Sequence, residues 1–261
     1  MIDLYKAAYT FGDLREIVAR LRQPDGCPWD AAQTHESIRK NFLEEAYEVC
    51  EAIDRKDNAL LCEELGDVLL QVAMHTRMAE ETGAFTMEAV TDGVSRKMIL
   101  RHPYVFGTEE KPATAADTIA VHDRVKAAEK QQNTYTAAMN DVARTLPALM
   151  YAEKVQGRAK KSGFDWSHVN GAMDKVREEC AEVQECLDNG TDITEELGDL
   201  LFAAVNVARM QSVDPEEALL RATQKSMRRF ALVEQMAGPA LREMSLEEMT
   251  ALWERAKEQT K

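Results

Sequence analysis

Two pairs of acidic residues in the C-terminal half of the sequence have the spacing of side chains that can bind a cation. Glu179 and Glu182 are three positions apart, and so are Glu196 and Asp199. Residues at this spacing lie on the same side of a helix. The Asn189-Gly190 turn predicts that the two helices are antiparallel neighbours, so the two pairs can converge. Converging carboxylates repel one another unless cations lie between them, and the spacing therefore predicts a cation site.

The ligand type and the sequence context favour a functional site over a solvated acidic surface. Carboxylate oxygens are hard ligands that suit Mg²⁺, with Mn²⁺ as a substitute. Glu196 and Asp199 lie in or beside the largely apolar segment 197–202, so we expect their helix to be largely buried. A di-iron carboxylate site needs a histidine three residues after a glutamate, and no glutamate in the sequence has one.

The acidic pattern occurs twice along the chain. EEAYEVCEAI at 44–53 returns as EECAEVQECL at 178–187, and EELGDVLL at 63–70 returns as EELGDLLF at 195–202. Two later blocks follow in the same order, Lys97-x-x-x-Arg101 with Lys225-x-x-x-Arg229 and 122–126 with 253–257. Four blocks in one order indicate an internal duplication. The first copy therefore offers a second metal site made of Glu45, Glu48, Glu64 and Asp67.

The composition predicts an all-α fold of tandem duplicated helical bundles, with four to five helices in each. The chain has only 12 Gly and 7 Pro, and its most frequent residues are good helix formers. Apolar residues recur at helical spacing. We expect an N-terminal domain at 1–130, a polar linker at 131–145 and a C-terminal catalytic domain at 146–261. The expected helices are 11–22, 36–54, 57–82, 86–101 and 115–129, then 146–160, 168–188, 192–212, 214–236 and 245–258.

Charge and composition exclude several classes of partner. A formal net charge of −14 argues against nucleic-acid binding, which needs a basic surface. No apolar stretch approaches the roughly 20 residues of a membrane helix, and no signal peptide is visible, so we expect a cytoplasmic protein with no membrane partner. The five cysteines have no zinc-site spacing, and we expect them to be reduced and buried.

The tandem EExxE and ExxD pattern resembles that of MazG, a family of all-α nucleoside triphosphate pyrophosphohydrolases. The resemblance covers nearly the whole chain and includes Gly26-Cys-Pro-Trp-Asp30-x-x-Gln33-Thr34 and Arg101-His-Pro-x-Val-Phe106. It implies an all-α homodimer that needs Mg²⁺ and cleaves nucleoside triphosphates between the α and β phosphates. The products would be a nucleoside monophosphate and pyrophosphate, and the role would be control or cleaning of the nucleotide pool.

Carried onto this sequence, the resemblance assigns roles to individual residues. It implies that Glu179, Glu182, Glu196 and Asp199 bind the metal, and Glu178 is a candidate to accept the proton of the attacking water. The expected substrate-binding residues are one lysine before the first acidic pair, a basic group on a later helix, and an aromatic residue with a lysine on the last helix: Lys175, Lys225, Arg228, Arg229, Trp253 and Lys257.

The two copies are not equivalent. Asn41 occupies the position of Lys175, and His122 occupies the position of Trp253. We therefore expect the N-terminal unit to be weakly active, regulatory or structural. The alternative for the whole chain is a non-catalytic acidic adaptor or a nucleotide-sensing regulatory protein, which would explain the charge and the duplication but not acids among apolar residues.

Overall fold

The computed structural model describes residues 6–129 and 134–260, and all regular secondary structure within these ranges is helical. The expectation of an all-α fold is confirmed. The chain divides into two compact units, with the boundary between Val125 and Lys126. Among the described residues, no helix combines the length and the apolar character needed to cross a lipid bilayer.

Within the described residues, the N-terminal unit contains five long helices and two short ones. Helix α4 lies at its centre and packs against α3, with which it forms an antiparallel pair, and against α1. In chain order the helices are α1 (Phe11–Leu21), α2 (Pro28–Ala31), α3 (Arg39–Arg55), α4 (Asn58–Glu81), α5 (Met87–Arg101), α6 (Pro103–Phe106) and α7 (Ala115–Glu129).

The C-terminal unit repeats the central helix pair. Helix α10 packs along α11, α9 packs on α11, and α12 packs against α13 and α9. The helices are α8 (Tyr135–Asn140), α9 (Ala148–Lys160), α10 (Val169–Asn189), α11 (Thr194–Met210), α12 (Pro215–Ala237) and α13 (Leu246–Gln259), with a 3-10 helix at Gly238–Glu243.

Local signals in the sequence explain where these helices begin and end. The Asp214 side chain accepts a hydrogen bond from the Glu217 backbone and caps α12, and Pro215 supplies a first residue that needs no intrahelical donor. Helix α10 ends where Gly190 adopts a left-handed conformation with φ 65°, which a side chain would disfavour. As a result, the ten long helices lie within about three residues of their predicted bounds.

The structure differs from the sequence prediction in the segment expected to be a linker. Residues 131–133 lie outside the described residues, but Tyr135–Asn140 forms helix α8, capped by Thr134, and packs on α9. A helix of six residues is too short to show a repeating apolar pattern, so periodicity could not predict it. The short helices α2 and α6 and the 3-10 helix were missed for the same reason.

The core of each unit is small. In the N-terminal unit the buried cluster joins α1, α4 and the start of α3, and consists of Val18, Ile38, Ala73, Met74 and Met78, with Leu14 and Leu70 packed against it. In the C-terminal unit the buried apolar residues are mostly small: Val142, Ala172, Ala203, Val205, Val233 and Ala256.

Two expectations about burial are wrong. Helix α11 is not largely buried in the single chain, because Leu197, Leu201 and Phe202 are each more than 40% exposed. The cysteines are not buried either: Cys50, Cys62 and Cys180 are exposed, and the other two are half-buried. Apolar character predicts which side chains avoid water in the final assembly, but one chain has too few layers to cover them all.

One buried arginine connects the end of α1, the end of α4 and the loop around α2 in the N-terminal unit. The side chain of Arg22 is 7% exposed and lies against Glu81 at the end of α4, with 2.9 Å between Nη2 and Oε2. Its Nη1 donates to the backbone oxygens of Asp30 and Gln33, which fixes the loop that carries α2. The pair also lowers the pKa of the Glu81 carboxyl, with the Arg22 hydrogen bond as the main cause.

We expect Arg22→Met to lower the free energy of unfolding of the N-terminal unit by about 2–4 kcal/mol, because it removes a buried donor that Glu81 and two loop carbonyls share. Arg20→Met is the matched control. Arg20 pairs with Asp25 at 2.7 Å, but both side chains are more than half exposed, so its loss should cost under about 0.5 kcal/mol. Urea unfolding measures both changes, and similar losses would contradict the assigned role of Arg22.

Candidate functional site

The acidic residues of the C-terminal unit project from two adjacent helices. Glu179 and Glu182 lie on α10, and Glu196 and Asp199 lie in the first two turns of α11. Because Gly190 ends α10 and the chain reverses within a few residues, the C-terminal half of α10 faces the start of α11.

The carboxylate groups converge as their spacing predicted. Oxygen atoms of Glu178, Glu179 and Glu182 lie within 4.8 Å of one another, and so do oxygen atoms of Glu179, Glu196 and Asp199. Glu179 belongs to both groups, so this residue joins the acids of the two helices. Either group could supply three oxygen ligands to a divalent cation.

Glu179 is the most deeply placed member of the cluster. It is 2% exposed, and its Oε2 atom is buried and has no hydrogen-bond partner. Its Oε1 atom lies 2.5 Å from Nζ of Lys175, which also contacts Oε1 of Glu178 at 2.8 Å. Burying a carboxylate oxygen without a partner is unfavourable, so a cation or a hydrogen-bond donor at this atom would stabilise the site.

The members of the acidic cluster differ in the direction of their pKa shifts. The hydrogen bond from Lys175 lowers the pKa of Glu179 against the opposing effect of burial, so this carboxyl stays ionised. The hydrogen bond with Glu179, together with burial, raises the pKa of Glu182, so Glu182 holds a proton more readily. The same acids raise the pKa of Lys175 above its ordinary value, with its bond to Glu178 as the largest cause. The lysine ammonium thus supplies positive charge to a cluster that otherwise repels itself.

The N-terminal unit has a similar acidic cluster without this lysine. Oxygen atoms of Glu45, Glu48 and Glu64 lie within 4.8 Å of one another on α3 and α4. Burial is the main cause that raises the pKa values of Glu45 and Glu64, and neighbouring carboxylates, including Asp67, raise them further. The carboxylates of this cluster therefore repel one another, and Asn41 at the position of Lys175 offers no positive charge to offset them.

The predicted substrate-binding residues on the last two helices form a separate group. Lys225 and Arg228 are exposed on α12, and Trp253 is half-buried on α13. Within the described residues, the polar contacts of this group are to side chains of α13 and its C-cap residue Thr260. Arg229 Nε donates to Oγ1 of Thr260, and Lys257 pairs with Glu254. The structure thus brings the acids and Lys175 together but shows no direct contact from this group to them.

In the N-terminal unit the position of Trp253 is filled differently. His122 packs edge-on against His102, with 4.4 Å between ring centroids, and its Nε2 atom is buried without a partner. His122 and Trp253 are both half-buried, so the two copies place different aromatic rings at positions of similar exposure.

A cavity of about 300 Å³ in the C-terminal unit was missed by sequence reasoning. It lies between α9 and α11 and the loop at 163–166, and its polar lining includes Gln156, Asn206 and the ion pair of Asp165 with Arg209. The signal that could have indicated it is in the repeat: GFDW at 163–166 parallels GCPW at 26–29.

Comparison with known proteins identifies the family to which this architecture belongs. The family model of the MazG nucleotide pyrophosphohydrolase domain matches residues 33–106 and 169–233. The chain is 41% identical over 255 residues to the Thermotoga maritima nucleoside triphosphate pyrophosphohydrolase/pyrophosphatase MazG, covering 97% of both proteins. It is 40% identical over 254 residues to the Escherichia coli nucleoside triphosphate pyrophosphohydrolase, covering 94% of this chain and 96% of that protein. It is also 43% identical over 256 residues to the uncharacterised Bacillus subtilis protein YabN, of which it covers 52%.

Each of the two helical units carries converging acids on a helix pair. Together with these matches, this arrangement defines an enzyme of the hydrolase class that acts on phosphoric anhydrides. The chain belongs to the MazG family of nucleotide pyrophosphohydrolases. Both matched segments contain one of the acidic clusters, so the family model recognises the duplicated unit.

The position of Lys175 leads to a prediction for the protein without metal ions. Lys175→Met should lower the melting temperature, because it leaves the buried carboxylate of Glu179 without its positive partner. Arg177→Met is the control, since Arg177 pairs with Asp174 on the solvent side of the same helix. Calorimetry in chelator should show a clear decrease for the first variant and almost none for the second. Equal shifts would mean that the Lys175 pair contributes no more than a surface ion pair.

Proposed function

We propose that the C-terminal unit hydrolyses nucleoside triphosphates, ribo- or deoxyribo-, to the monophosphate and pyrophosphate, with Mg²⁺ or Mn²⁺ held by Glu179, Glu182, Glu196 and Asp199. The names of the Thermotoga and Escherichia relatives support the substrate class. The observation that carries the metal assignment is the buried Oε2 of Glu179, which has no hydrogen-bond partner, in the residue that both groups of converging carboxylates share.

The residues present fit a divalent cation well. The donors are carboxylate oxygens, which Mg²⁺ and Mn²⁺ prefer, and they come from two rigid helices within a few ångströms of one another. A cation would satisfy the orphan oxygen of Glu179 and offset the negative charge of the converging carboxylates. When bound, the metal supplies neutralisation of the polyphosphate charge and makes water a better nucleophile.

The protein side chains have distinct tasks in this reaction. Water forms a new bond to phosphorus while the bridging oxygen between the α and β phosphates leaves with pyrophosphate. Glu178 is exposed at the edge of the cluster and is paired with Lys175, so it is an available carboxylate to accept the proton of the water. Lys175 lies beside the acids, where its ammonium group can contact a phosphate oxygen.

The basic group on α12 and the aromatic residue on α13 complete the proposal. Lys225, Arg228 and Arg229 offer positive charge to the leaving pyrophosphate, and Trp253 with Lys257 offers a surface and a cation for the nucleotide. We assign the N-terminal unit a weaker role, since Asn41 and His122 replace a phosphate-binding cation and the aromatic surface.

The matched acids of the two units test the metal assignment and the inequality together. Glu179→Gln and Asp199→Asn should each lower pyrophosphate release by more than about 100-fold, because each removes a charged ligand from the more complete site. Glu45→Gln and Asp67→Asn should lower it by less than about 5-fold, because their unit lacks roughly two to three orders of magnitude of nucleotide affinity.

The assay measures pyrophosphate release with Mg²⁺ from the four single variants, after circular dichroism has shown that each is folded. Activity that survives in chelator would refute the metal assignment. Equal losses in both pairs would show that the two units are equally active or act together, and a larger loss from the N-terminal pair would place the active site there.

We also propose that the chain works as a homodimer, because it exposes too much apolar surface to be complete alone. Its accessible surface is 18409 Å², whereas two separate globular units of about 15 kDa each would expose roughly 14,000 Å². Leu219, Leu220, Met227 and Phe230 are exposed on α12. At 100° per residue they form one stripe on the helix surface. A second copy of the chain is the partner that the family resemblance favours for this stripe.

Light scattering should therefore give about twice 29.3 kDa for the wild-type protein. The double variant Leu220→Glu with Met227→Glu should shift the mass towards the monomer, because it places two charges on the stripe. Gln224→Glu is the control, since it adds a charge to an exposed position of the same helix outside the stripe. A wild-type monomer with full activity would contradict the proposal, and an unchanged mass in the double variant would show that α12 is not the interface.

A further inference from the structure

Lys175 holds a position in the acidic cluster that resembles that of a bound cation. Its Nζ atom lies 2.5 Å from Oε1 of Glu179 and 2.8 Å from Oε1 of Glu178. With Glu182 these two acids form one of the two groups of converging carboxylates, which we call the first cation position. The ammonium group therefore contacts two of the three carboxylates of the first cation position.

The second group of carboxylates is not neutralised in the same way. It consists of Glu179, Glu196 and Asp199. Within the part of the chain that the structure describes, no ion pair reaches Glu196 or Asp199, and Oε2 of the buried Glu179 has no hydrogen-bond partner. The cluster thus has two places where a positive charge would lower its energy, and Lys175 fills one of them.

A divalent cation and the ammonium group cannot share the first cation position. A cation bound about 2.1 Å from Oε1 of Glu179 would lie within about 5 Å of Nζ of Lys175, where the two positive charges repel each other. Lys175 can move away, because its side chain is 38% exposed and the lysine stem is flexible. Glu179 is held in place, because its side chain is only 3% exposed. Binding of a cation at this position is therefore an exchange of one positive charge for another.

The N-terminal unit has the same kind of cluster without a lysine. At the offset of 134 residues that relates α3 to α10, Asn41 corresponds to Lys175 and Glu44 to Glu178. The converging carboxylates of this unit are those of Glu45, Glu48 and Glu64. Within the described residues, Glu44 is not among them. The additional acid joins the cluster only in the unit that has the lysine, which agrees with an ammonium group that draws it in.

We propose that Lys175 is an exchangeable counter-ion of the acidic cluster: its ammonium group holds the first cation position in the metal-free protein, and a divalent cation bound by Glu179 and Glu182 expels it. This inference rests on the metal assignment of the proposed function. Because a buried carboxylate tolerates its charge only beside a positive partner, the exchange provides Glu179 with such a partner both before and after metal binding.

The exchange links metal binding to substrate binding. While Lys175 contacts both Glu178 and Glu179, its charge is balanced within the protein and attracts a phosphate only weakly. Once a cation has expelled it, the ammonium group is free to contact a phosphate oxygen. Glu178 then loses its positive partner and is free to accept a proton from water. The metal therefore binds before the polyphosphate, or together with it as a metal complex.

The affinity for Mn²⁺ alone tests the exchange, because it requires no nucleotide. The parent protein carries Glu45→Gln and Glu64→Gln, which disable the N-terminal cluster as a competing site. In this parent, Lys175→Met should tighten Mn²⁺ binding in isothermal titration calorimetry by about 10–100-fold, since no internal cation has to be displaced. Arg177→Met is the control, because Arg177 pairs with Asp174 on the same helix, and it should change the affinity by less than about 2-fold. Unchanged or weaker binding in the lysine variant, or an equal gain in both variants, would overturn the inference.

The reverse substitution in the N-terminal unit does not depend on the folding of the first variant. Its parent carries Glu179→Gln and Glu196→Gln, so that the N-terminal cluster is measured. Asn41→Lys should weaken Mn²⁺ binding about 10-fold or more, because the new ammonium group lies one turn before Glu45 and competes with the metal. Asn58→Lys is the control, since it adds the same charge at the exposed start of α4. An equal effect of the two substitutions, or none from Asn41→Lys, would contradict the exchange.

The melting temperature separates an exchangeable counter-ion from a structural ion pair. In chelator, Lys175→Met should melt below the wild-type protein, because Glu179 has lost its positive partner. At saturating Mn²⁺ this difference should fall to less than about half, because the cation has already expelled the ammonium group from the wild-type cluster. A difference that keeps its size at saturating Mn²⁺ would show that the lysine retains its contacts beside the metal, and the inference would be wrong.

Metal binding and pyrophosphate release together separate the inference from the proposed function. If pyrophosphate release requires a metal but Lys175→Met does not tighten Mn²⁺ binding, the inference alone has failed. If Lys175→Met tightens Mn²⁺ binding but no nucleoside triphosphate yields pyrophosphate, the exchange stands and the proposed reaction has failed. If Mn²⁺ binds neither to the parent protein nor to the Lys175→Met variant, the metal assignment has failed and the inference fails with it.

Discussion

The carboxylate of Glu179 is buried while it remains charged, and the organisation of the C-terminal unit follows from that condition. A buried charge is tolerated only when opposite charge and hydrogen-bond donors lie within reach. Lys175 provides one such partner from the preceding turn of α10. The second oxygen has no hydrogen-bond partner within the described residues, although Glu179 belongs to both groups of converging carboxylates. The helix pair therefore gathers more negative charge than Lys175 alone can balance.

The two copies of the duplicated unit share one scaffold but differ in the side chains around its acids. Both units keep the antiparallel helix pair and its acids, because the spacing of the acids and the packing of the pair are encoded in the same short segments. They differ at the positions around the pair. In the N-terminal unit Asn41 replaces the lysine, His122 packs against His102, and Leu70 and Met74 fill the place of the cavity with apolar core. The acidic cluster is thus common to both units, whereas the side chains around it are not.

The small cores and the exposed apolar faces of the two units have the same structural cause. A unit built around one helix pair cannot cover both sides of that pair, so apolar residues of α11 and α12 remain on the surface of a single chain. This arrangement leaves the functional helices accessible on one side and available for association on another. It also explains why apolar sequence around Glu196 and Asp199 does not mean burial within one chain.

The sequence by itself determined the helices, the duplication, the family and the convergence of the acids, since all four depend on local periodicity, caps and the short turn at Gly190. The tertiary structure alone decided that Glu179 is the buried acid and that Gln156 and Asn206 line a cavity. These features depend on contacts between helices distant in sequence, where exposure and amide orientation are set by neighbours that spacing within one helix cannot specify.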